Sequence, residues 1–304
     1  MFDLMIVGGG PAGLAACVYA ARKRLNTLLI SIDVGGQVNT TMGINNYLGY
    51  QFIEGPELIG KFRNQMDQFP IIQKIGYKVS RLDQIDGGFE ATCETGEKFQ
   101  STSVVFAAGK SPRKLNVPGE AVFLGRGVTY CATCDGPVFS GQRVAIVGGG
   151  NSALEAVLDM VKIAEHVDLV SLTPLTGDAV LIDKLADAKN LTIFTENQTE
   201  RIEGQAFVEG LMVKDLNSGV VKRLKVTGIF VEIGLVPNSA VVGELVKLNK
   251  WGEVSISCSG ETSVPGLYAA GDVTNVTEKQ IVVAAGEGAK AALQVHRYLQ
   301  RLVI

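Results

Sequence analysis

The chain has 304 residues, of which 46% are hydrophobic, and a formal net charge of −3. This length suggests about two domains and is ample for a sizeable buried core. The small acidic excess, without a basic stripe, argues against nucleic acid as a partner, because nothing would displace counterions from phosphates. The 36 glycines fall in short clusters, which excludes a collagen-like repeat.

The N-terminal segment shows no targeting signal. Residues 1–10 read MFDLMIVGGG and lack the basic leader and small-residue cleavage site of a signal peptide. Residues 2–21 are largely apolar, but Asp3, three glycines and Pro11 interrupt them, which disfavours a membrane span. The chain has five cysteines, an odd number, and most are widely separated, unlike a secreted disulfide framework. We therefore expect a cytoplasmic protein that does not contact a membrane.

A strand–turn–helix–strand pattern occurs twice. Residues 4–16 read LMIVGGGPAGLAA and residues 144–156 read VAIVGGGNSALEA, each an apolar strand, a glycine turn and an apolar-periodic helix. A second strand follows each unit, at residues 27–31 and 167–171. The spacing predicts an α/β fold with two nucleotide-binding, Rossmann-like three-layer domains.

Further strands and linkers indicate how these domains are connected. Strands are predicted near residues 77–82, 89–93 and 103–107. Pro, Lys and Gly cluster at residues 110–120, and LVPNSA at 235–240 is a second candidate linker.

The simplest topology inserts one domain into the other. Residues 1–115 and 241–304 would form the outer, dinucleotide-binding domain, which ends in a helix predicted at residues 281–301. Residues 116–240 would form the inserted module.

The first glycine turn has the context of a dinucleotide site. Gly8, Gly10 and Gly13 follow a strand and open a helix. The first glycine permits the tight turn, the second lets the backbone approach a pyrophosphate, and the third lets helix and strand pack closely. The helix N-terminus adds N–H donors and a partial positive charge. An acidic partner for the ribose should end the second strand, yet that position is Ser31, with Asp33 two residues on.

A pair of cysteines stands just before the second glycine turn. Cys131 and Cys134 are separated by two residues, a spacing that allows ready exchange between dithiol and disulfide. The adjacent Asp135 could hand a proton to a leaving thiolate or to a reduced flavin if its pKa is raised. Half of a zinc site and a pair of buried structural cysteines are alternatives. The zinc alternative lacks a second pair of ligands.

The complete set of motifs resembles the low-molecular-weight thioredoxin reductases, and also the C-terminal flavoprotein part of the alkyl hydroperoxide reductase system. The latter proteins carry an extra N-terminal redoxin domain, whereas this chain starts at the first glycine turn. The resemblance extends over essentially the whole chain and rests on CATCD (131–135), GGGPAG (8–13), GGQV (35–38), NNYLG (45–49), AAGK (107–110), GIFVEIGLVPN (228–238), TSVPGLYAAGDV (262–273) and KQIVVAAGEGAKAAL (279–293).

This resemblance implies FAD as the cofactor of the outer domain. By position it implies a set of cofactor-binding residues, namely Gly8, Gly10, Gly13, Gly36, Gln37, Asn46, Gly109, Gly271, Asp272, Gln280 and Ile281. Among these, the glycines of the first turn would approach the pyrophosphate, and Asp272 the ribityl or pyrophosphate region. Gln280 and the backbone of Ile281 would meet the flavin ring.

The resemblance also implies the reaction. Two electrons would pass from FAD to the Cys131–Cys134 disulfide, and the dithiol would then reduce thioredoxin or a related redoxin. Cys134 would be nearer the flavin, and Cys131 would attack the substrate disulfide. A homodimer is implied too. Since the cysteines cannot touch the flavin and a protein disulfide in one geometry, we expect rotation of the two domains about their linkers.

The second glycine turn departs from the NADPH-dependent members. Gly148, Gly150 and Ala153 keep the dinucleotide pattern, but no Lys or Arg occurs in residues 171–183, where a basic cluster would hold the 2′-phosphate. Charge-assisted hydrogen bonds are worth about 1.5–3 kcal/mol each, so losing two weakens binding by orders of magnitude. NADPH is therefore disfavoured as the electron donor.

Two other kinds of donor stay open. NADH would prefer an acid at the strand end, but that position is Ser171, and neither Asp168 nor Asp178 is well placed. Relatives of this fold that use ferredoxin or a deazaflavin need no nicotinamide site. An acidic ferredoxin would seek a basic patch, for which residues 22–24 and the trio Lys110, Arg113 and Lys114 are candidates.

Two further functions use the same parts. A dithiol oxidase would keep FAD and the cysteine pair and pass electrons to oxygen. A flavin-loaded redox sensor would signal through the state of Cys131 and Cys134. The leading hypothesis is the FAD-dependent disulfide reductase.

Overall fold

The computed structural model describes residues 1–41 and 43–302, in which strands and helices alternate. The strands are β1 (Phe2–Val7), β2 (Thr27–Ser31), β3 (Ile72–Ile75), β4 (Val79–Ile85), β5 (Gly88–Cys93), β6 (Lys98–Phe106), β7 (Lys110–Pro112), β8 (Val128–Thr129), β9 (Arg143–Val147), β10 (His166–Val170), β11 (Leu191–Phe194), β12 (Asn197–Gly204), β13 (Val208–Asp215), β14 (Val221–Leu224), β15 (Gly228–Val231), β16 (Leu235–Pro237) and β17 (Leu267–Ala269). The helices are α1 (Pro11–Arg22), α2 (Gly55–Met66), α3 (Ala132–Asp135), α4 (Asn151–Met160), α5 (Ala179–Leu185) and α6 (Ile281–Leu302).

The first sheet is built on a parallel core with the order β3-β2-β1-β6-β17. The early part of β6 also pairs antiparallel with β5, which pairs with β4. Alternate residues of β1 enter different cores: Leu4 and Ile6 pack beneath α1 and α6, and Met5 and Val7 pack beneath β4 and β5. A strand covered on both faces reads as a continuous apolar run, which is why FDLMIV shows little polar alternation.

The second sheet repeats this plan, with the parallel order β11-β10-β9-β15-β8. Val144 and Ile146 of β9 face α4, while Ala145 and Val147 face the antiparallel strands β12, β13 and β14. Each unit therefore has a helical layer, a parallel sheet and an antiparallel layer. The predicted α/β fold with two Rossmann-like three-layer domains is confirmed.

The connections between the units hold two short strands. β7 pairs antiparallel with β16, so the predicted linkers at 110–120 and 235–240 meet in a two-stranded ribbon. Asn238 joins them further by donating its Nδ2–H to the Ala108 carbonyl at 2.8 Å. The domain boundaries at residues 115/116 and 240/241 stay predictions.

The predicted elements differ from the structure mainly in their bounds. β2 coincides with the predicted 27–31, whereas β6 begins at Lys98, earlier than the predicted 103. The antiparallel strands β12 to β14 are absent from the sequence prediction. Exposed residues along these three strands interrupt the apolar alternation by which a strand is recognised in a sequence. Within the described residues, no helix combines the length and hydropathy needed to cross a bilayer.

Candidate active site

The first glycine turn leaves an open space at the start of α1. Gly8 has φ +113°, and a Cβ there would overlap the Ala107 carbonyl. A Cβ on Gly13 would overlap the Gly8 carbonyl, so this glycine permits the close packing of helix and strand. In contrast, a Cβ on Gly10 would meet nothing within 4 Å. The turn thus presents backbone and a helix N-terminus to an empty volume, as a bound pyrophosphate requires.

Several predicted cofactor-binding residues meet around this space. Gly36 opens a short 3-10 turn (Gly36–Thr40) that also holds Gln37, and a Cβ on Gly36 would lie 3.8 Å from the Gly10 Cα. Asn46 donates its Nδ2–H to the Gln280 Oε1 at 3.2 Å, just before Ile281 begins α6.

Two other predicted positions flank this group. A Cβ on Gly271 would lie 3.0 Å from the Ala12 Cβ, so this turn abuts the first turn of α1. Gly109 follows Ala108, whose nitrogen would lie 3.0 Å from a Cβ on Gly8, and the Gly109 carbonyl accepts the Asn238 N–H at 3.0 Å beside the ribbon.

Asp272 belongs to a half-buried charged group. Burial raises the pKa of Asp272, and the ammonium groups of Lys279 and Lys110 oppose that rise. The Lys110 side chain is 11% exposed, and its Nζ lies 2.5 Å from Glu253 Oε1, with Lys279 Nζ 3.3 Å from the same atom. Lys110 therefore cannot serve as a surface cation. Of the three residues in that candidate ferredoxin patch, Arg113 and Lys114 are the exposed ones.

These residues fit a dinucleotide. The glycine turn has open space at the start of α1, the Gly36 turn adjoins it, and the Asn46–Gln280 pair lies at the start of α6. The Ser31 hydroxyl accepts the Gly9 N–H at 2.7 Å. Asp33 accepts the Gly36 N–H at 2.8 Å and braces the turn.

Glu287 supports this region and was not predicted from the sequence. Its carboxylate is buried in α6 and accepts the Gly271 N–H at 2.9 Å. A charged residue on an otherwise apolar helix face, in AAGEGAKAAL, is the signal that could have found it.

The cysteine pair forms a disulfide at the start of α3. Asp135, at the end of this short helix, is 1% exposed, and its carboxylate accepts a hydrogen bond from the Thr129 hydroxyl. The same hydroxyl accepts the Cys131 N–H at 3.2 Å. Thr129, which was not predicted, therefore links the position of Asp135 to that of Cys131.

A second acid approaches the disulfide from β15. Glu232 directly follows this strand, and its Oε1 accepts the Ala132 N–H at 3.1 Å. Burial raises the pKa of Glu232 to about 7, the Ala132 N–H bond opposes the rise, and the charge of Glu155 adds to it. A carboxyl with a pKa near neutral is thus hydrogen-bonded to Ala132, the residue that follows Cys131.

A cavity of about 590 Å³ is lined by residues from both units. Glu232 and Tyr130 belong to the unit with the second glycine turn, and Lys110, Glu253 and Lys279 belong to the unit with the first. The cavity therefore joins Tyr130, the neighbour of Cys131, to the ion-paired group of Lys110, Glu253 and Lys279.

The second glycine turn is contacted by the chain that follows it, because the Gly149 carbonyl accepts the Thr176 N–H at 2.7 Å, whereas a Cβ on Gly150 would meet only the Thr176 hydroxyl, at 4.0 Å. Gly148 has φ +150°, and a Cβ on Gly149 would overlap the buried Ser171 hydroxyl. Asp178 is paired with Asn151, which donates its Nδ2–H at 2.9 Å and accepts the Asp178 N–H at 2.7 Å. Asp168 is buried inside β10 and lies 3.3 Å from His166. Of the three polar residues considered for the ribose, Ser171 and Asp168 are buried, and Asp178 is exposed and held by Asn151.

Comparison with known proteins assigns the family. The family model described as pyridine nucleotide-disulphide oxidoreductase matches residues 2–288. The chain belongs to this family. The thioredoxin reductase of Streptococcus pyogenes MGAS5005 is similar in structure over 99% of both chains, with 32% identity and a TM-score of 0.93. The Lactococcus lactis thioredoxin reductase in its FR conformation is 30% identical over 99% of this chain and all of its own, with a TM-score of 0.69.

The curated relatives are longer. One subunit of alkyl hydroperoxide reductase from Staphylococcus aureus (strain MSSA476) is 40% identical over 301 residues, which are 99% of this chain and 59% of the relative. The chain thus spans about three-fifths of the length of that protein. Members of the family similar to this chain are FAD-binding flavoproteins, which confirms the expected cofactor and the thioredoxin reductase-like resemblance.

Proposed function

We propose that this protein is an FAD-dependent disulfide reductase that passes electrons through Cys131 and Cys134 to thioredoxin or a related redoxin. The observation that carries the proposal is the Cys131–Cys134 disulfide beside the buried, hydrogen-bonded Asp135. It lies in a chain similar over almost its full length to a thioredoxin reductase.

The cofactor would be held by the region along α1 and α6. Gly8, Gly10 and Gly13 would bring backbone to the pyrophosphate, while Asn46 and Gln280 would contact the ring end. When bound, FAD would supply a two-electron carrier that can be refilled between turnovers. This assignment of residues extends to Gly36, Gln37, Gly109, Gly271, Asp272 and Ile281.

The chain's own residues would then perform the thiol chemistry. In the dithiol form, the Cys131 thiolate attacks the redoxin disulfide, forming a mixed disulfide and releasing one redoxin thiolate, which takes up a proton. Cys134 then attacks Cys131, which restores the Cys131–Cys134 disulfide and releases the second redoxin thiolate. We assign to Asp135, which is held by Thr129, the exchange of a proton with the Cys134 side of the pair. The dithiol loses two electrons, and the redoxin gains them.

Access to the redoxin would require the two units to rotate about the β7–β16 ribbon. The difference between the two thioredoxin reductases supports this idea. At nearly equal identity and coverage, the TM-score falls from 0.93 to 0.69. Whole-chain similarity that falls at constant coverage is expected when rigid units change their relative orientation. A homodimer and a cytoplasmic location remain predictions from the resemblance and the composition.

The donor that fits the second glycine turn is not NADPH. No cation stands in residues 171–183, Ser171 is buried against Gly149, and Asp178 is held by Asn151. A 2′-phosphate would therefore lack a charged partner from this segment. We propose NADH or a ferredoxin-like protein as the donor.

Anaerobic flavin absorbance tests activity and donor together. Protein reduced with dithionite should regain its yellow colour when oxidised thioredoxin is added, and a Cys134→Ser variant should not. In a second series, oxidised protein is mixed with NADPH, NADH or reduced ferredoxin. Rapid bleaching by NADPH would contradict the donor proposal. Bleaching only by a dithiol, followed by quick recovery in air and no response to thioredoxin, would instead make the protein a dithiol oxidase.

A further inference from the structure

Glu232 is a titratable group next to the cysteine pair that the thiol chemistry described above does not use. Its Oε1 accepts the N–H of Ala132, the residue that follows Cys131. The Ala132 nitrogen is bonded directly to the carbonyl carbon of Cys131, so the carboxylate lies within a few ångströms of the residue whose sulfur becomes the nucleophile. The Cys131 sulfur itself accepts the Cys134 N–H at 3.2 Å.

We propose that Glu232 is a positioning residue that sets the protonation of Cys131 in the reduced protein, so that the two side chains share one negative charge. An ionised carboxylate close to a thiol disfavours the thiolate, because the two negative charges repel. A neutral carboxyl removes that repulsion. Because the thiolate is the form that attacks a disulfide, Glu232 would set the pH at which the reduced protein becomes reactive.

The surroundings of Glu232 support this reading. Burial already favours its neutral form near pH 7, so a small change in a neighbouring charge can move its proton. Of the other charged or titratable groups facing the cavity, Lys110 and Lys279 are paired with Glu253, and Tyr130 donates its hydroxyl proton to Glu120 at 2.9 Å. Asp135 is engaged by Thr129. Glu155 is the remaining charge that acts on Glu232, and it favours protonation.

The test is the pH profile of Cys131 alkylation in FAD-loaded protein. A Cys134→Ser background keeps Cys131 as a free thiol, and mass spectrometry of the peptide that contains Cys131 follows its labelling by iodoacetamide between about pH 5 and pH 9. Glu232→Gln keeps an oxygen that can accept the Ala132 N–H but removes the charge. Glu232→Asp keeps the charge and is the matched control.

We expect Glu232→Gln to lower the midpoint of the profile by about one pH unit, a typical effect of one nearby charge. Labelling near neutral pH should become about threefold faster, because the larger thiolate fraction outweighs the lower nucleophilicity of a more acidic thiol. Glu232→Asp should stay close to the parent. The parent itself should titrate in two steps, a measurement that does not depend on the folding of any Glu232 variant.

A single-step parent profile that Glu232→Gln leaves unchanged would overturn the inference. Equal shifts in the Gln and Asp variants would also overturn it, because they would show an effect of shape rather than charge. The inference rests on the proposed function for its meaning, but the labelling needs neither donor nor redoxin. A shifted profile in a protein that reduces no redoxin would therefore contradict the proposed function alone.

Discussion

The buried carboxylate of Glu287 accepts the N–H of Gly271 at 2.9 Å and so ties α6 to the turn that precedes Asp272. The turn and the start of α6 both belong to the proposed cofactor region, so this bond fixes their relative position. Gly271 has a φ of +77°, which favours glycine, and Ala12 lies close to it.

Replacing Glu287 with Ala should therefore destabilise the protein by about 1–3 kcal/mol, because a buried N–H loses its acceptor. FAD should dissociate more readily from this variant. Glu287→Gln, which keeps an acceptor oxygen, should lose clearly less. Urea unfolding and the flavin-to-protein absorbance ratio measure the two effects, and equal losses in the two variants would contradict the assigned role of the hydrogen bond.

The first glycine turn allows fold and cofactor effects to be separated. Gly13→Ala places a methyl group on the Gly8 carbonyl and should cost about 1–3 kcal/mol, since backbone must shift. Gly10→Ala meets open space and should change the unfolding free energy of the FAD-free protein by less than about 0.5 kcal/mol. It should nevertheless weaken FAD retention. Normal FAD retention by Gly10→Ala would contradict the placement of the pyrophosphate.

The ion pair of Lys110 with Glu253 predicts a loss of stability in acid. Burial alone would raise the pKa of Glu253, but hydrogen bonds from Lys110 and Asn249, with the charge of Lys279, hold it below the usual 4.5. A carboxyl with a lowered pKa contributes stability that is present above its unfolded value and is lost as the pH falls through its folded value.

Thermal unfolding between about pH 3 and pH 6 measures this contribution. The melting temperature should fall as the pH drops below about 4.5, and the fall should be less steep in Lys110→Met. An equally steep decline in both proteins would show that other carboxylates dominate.

The Thr129 hydroxyl is expected to matter for turnover. Thr129→Val keeps the shape but removes both the donor to Asp135 and the acceptor of the Cys131 N–H. Losing this hydroxyl should disturb the placement of Asp135 and Cys131, so we expect thioredoxin-driven flavin reoxidation to slow by about tenfold or more, which corresponds to about 1.4 kcal/mol in the barrier. Thr129→Ser retains the hydroxyl and should stay near the wild-type rate. Equal rates for all three proteins would remove Thr129 from the mechanism.

Most of the fold that the sequence predicts comes from patterns of neighbouring residues. β1 and β9 are short apolar runs ended by glycines, and the 3.6-residue periodicity of α6 marks its buried face. The disulfide pair is also local, because Cys131 and Cys134 are three positions apart. Each of these signals lies within one short stretch of consecutive residues.

Long-range contacts account for what sequence reasoning missed. Glu232 reaches Ala132 across 100 positions, and Lys110 reaches Glu253 across 143. No local spacing predicts such pairs, because they depend on where parallel strands end and how the two units face each other. Lys110 therefore looked like a surface cation in the sequence, whereas in the structure it is partly buried and paired with Glu253.

Transfer of electrons through Cys131 and Cys134 is tested most directly by an anaerobic reductive titration combined with thiol labelling. If the proposal is correct, each chain takes up one pair of electrons for its flavin and a second pair for the disulfide. Cys131 and Cys134 should then become labelled, and oxidised thioredoxin should reverse both changes. Uptake of a single pair, with both cysteines still protected when the flavin is fully reduced, would contradict the proposed function.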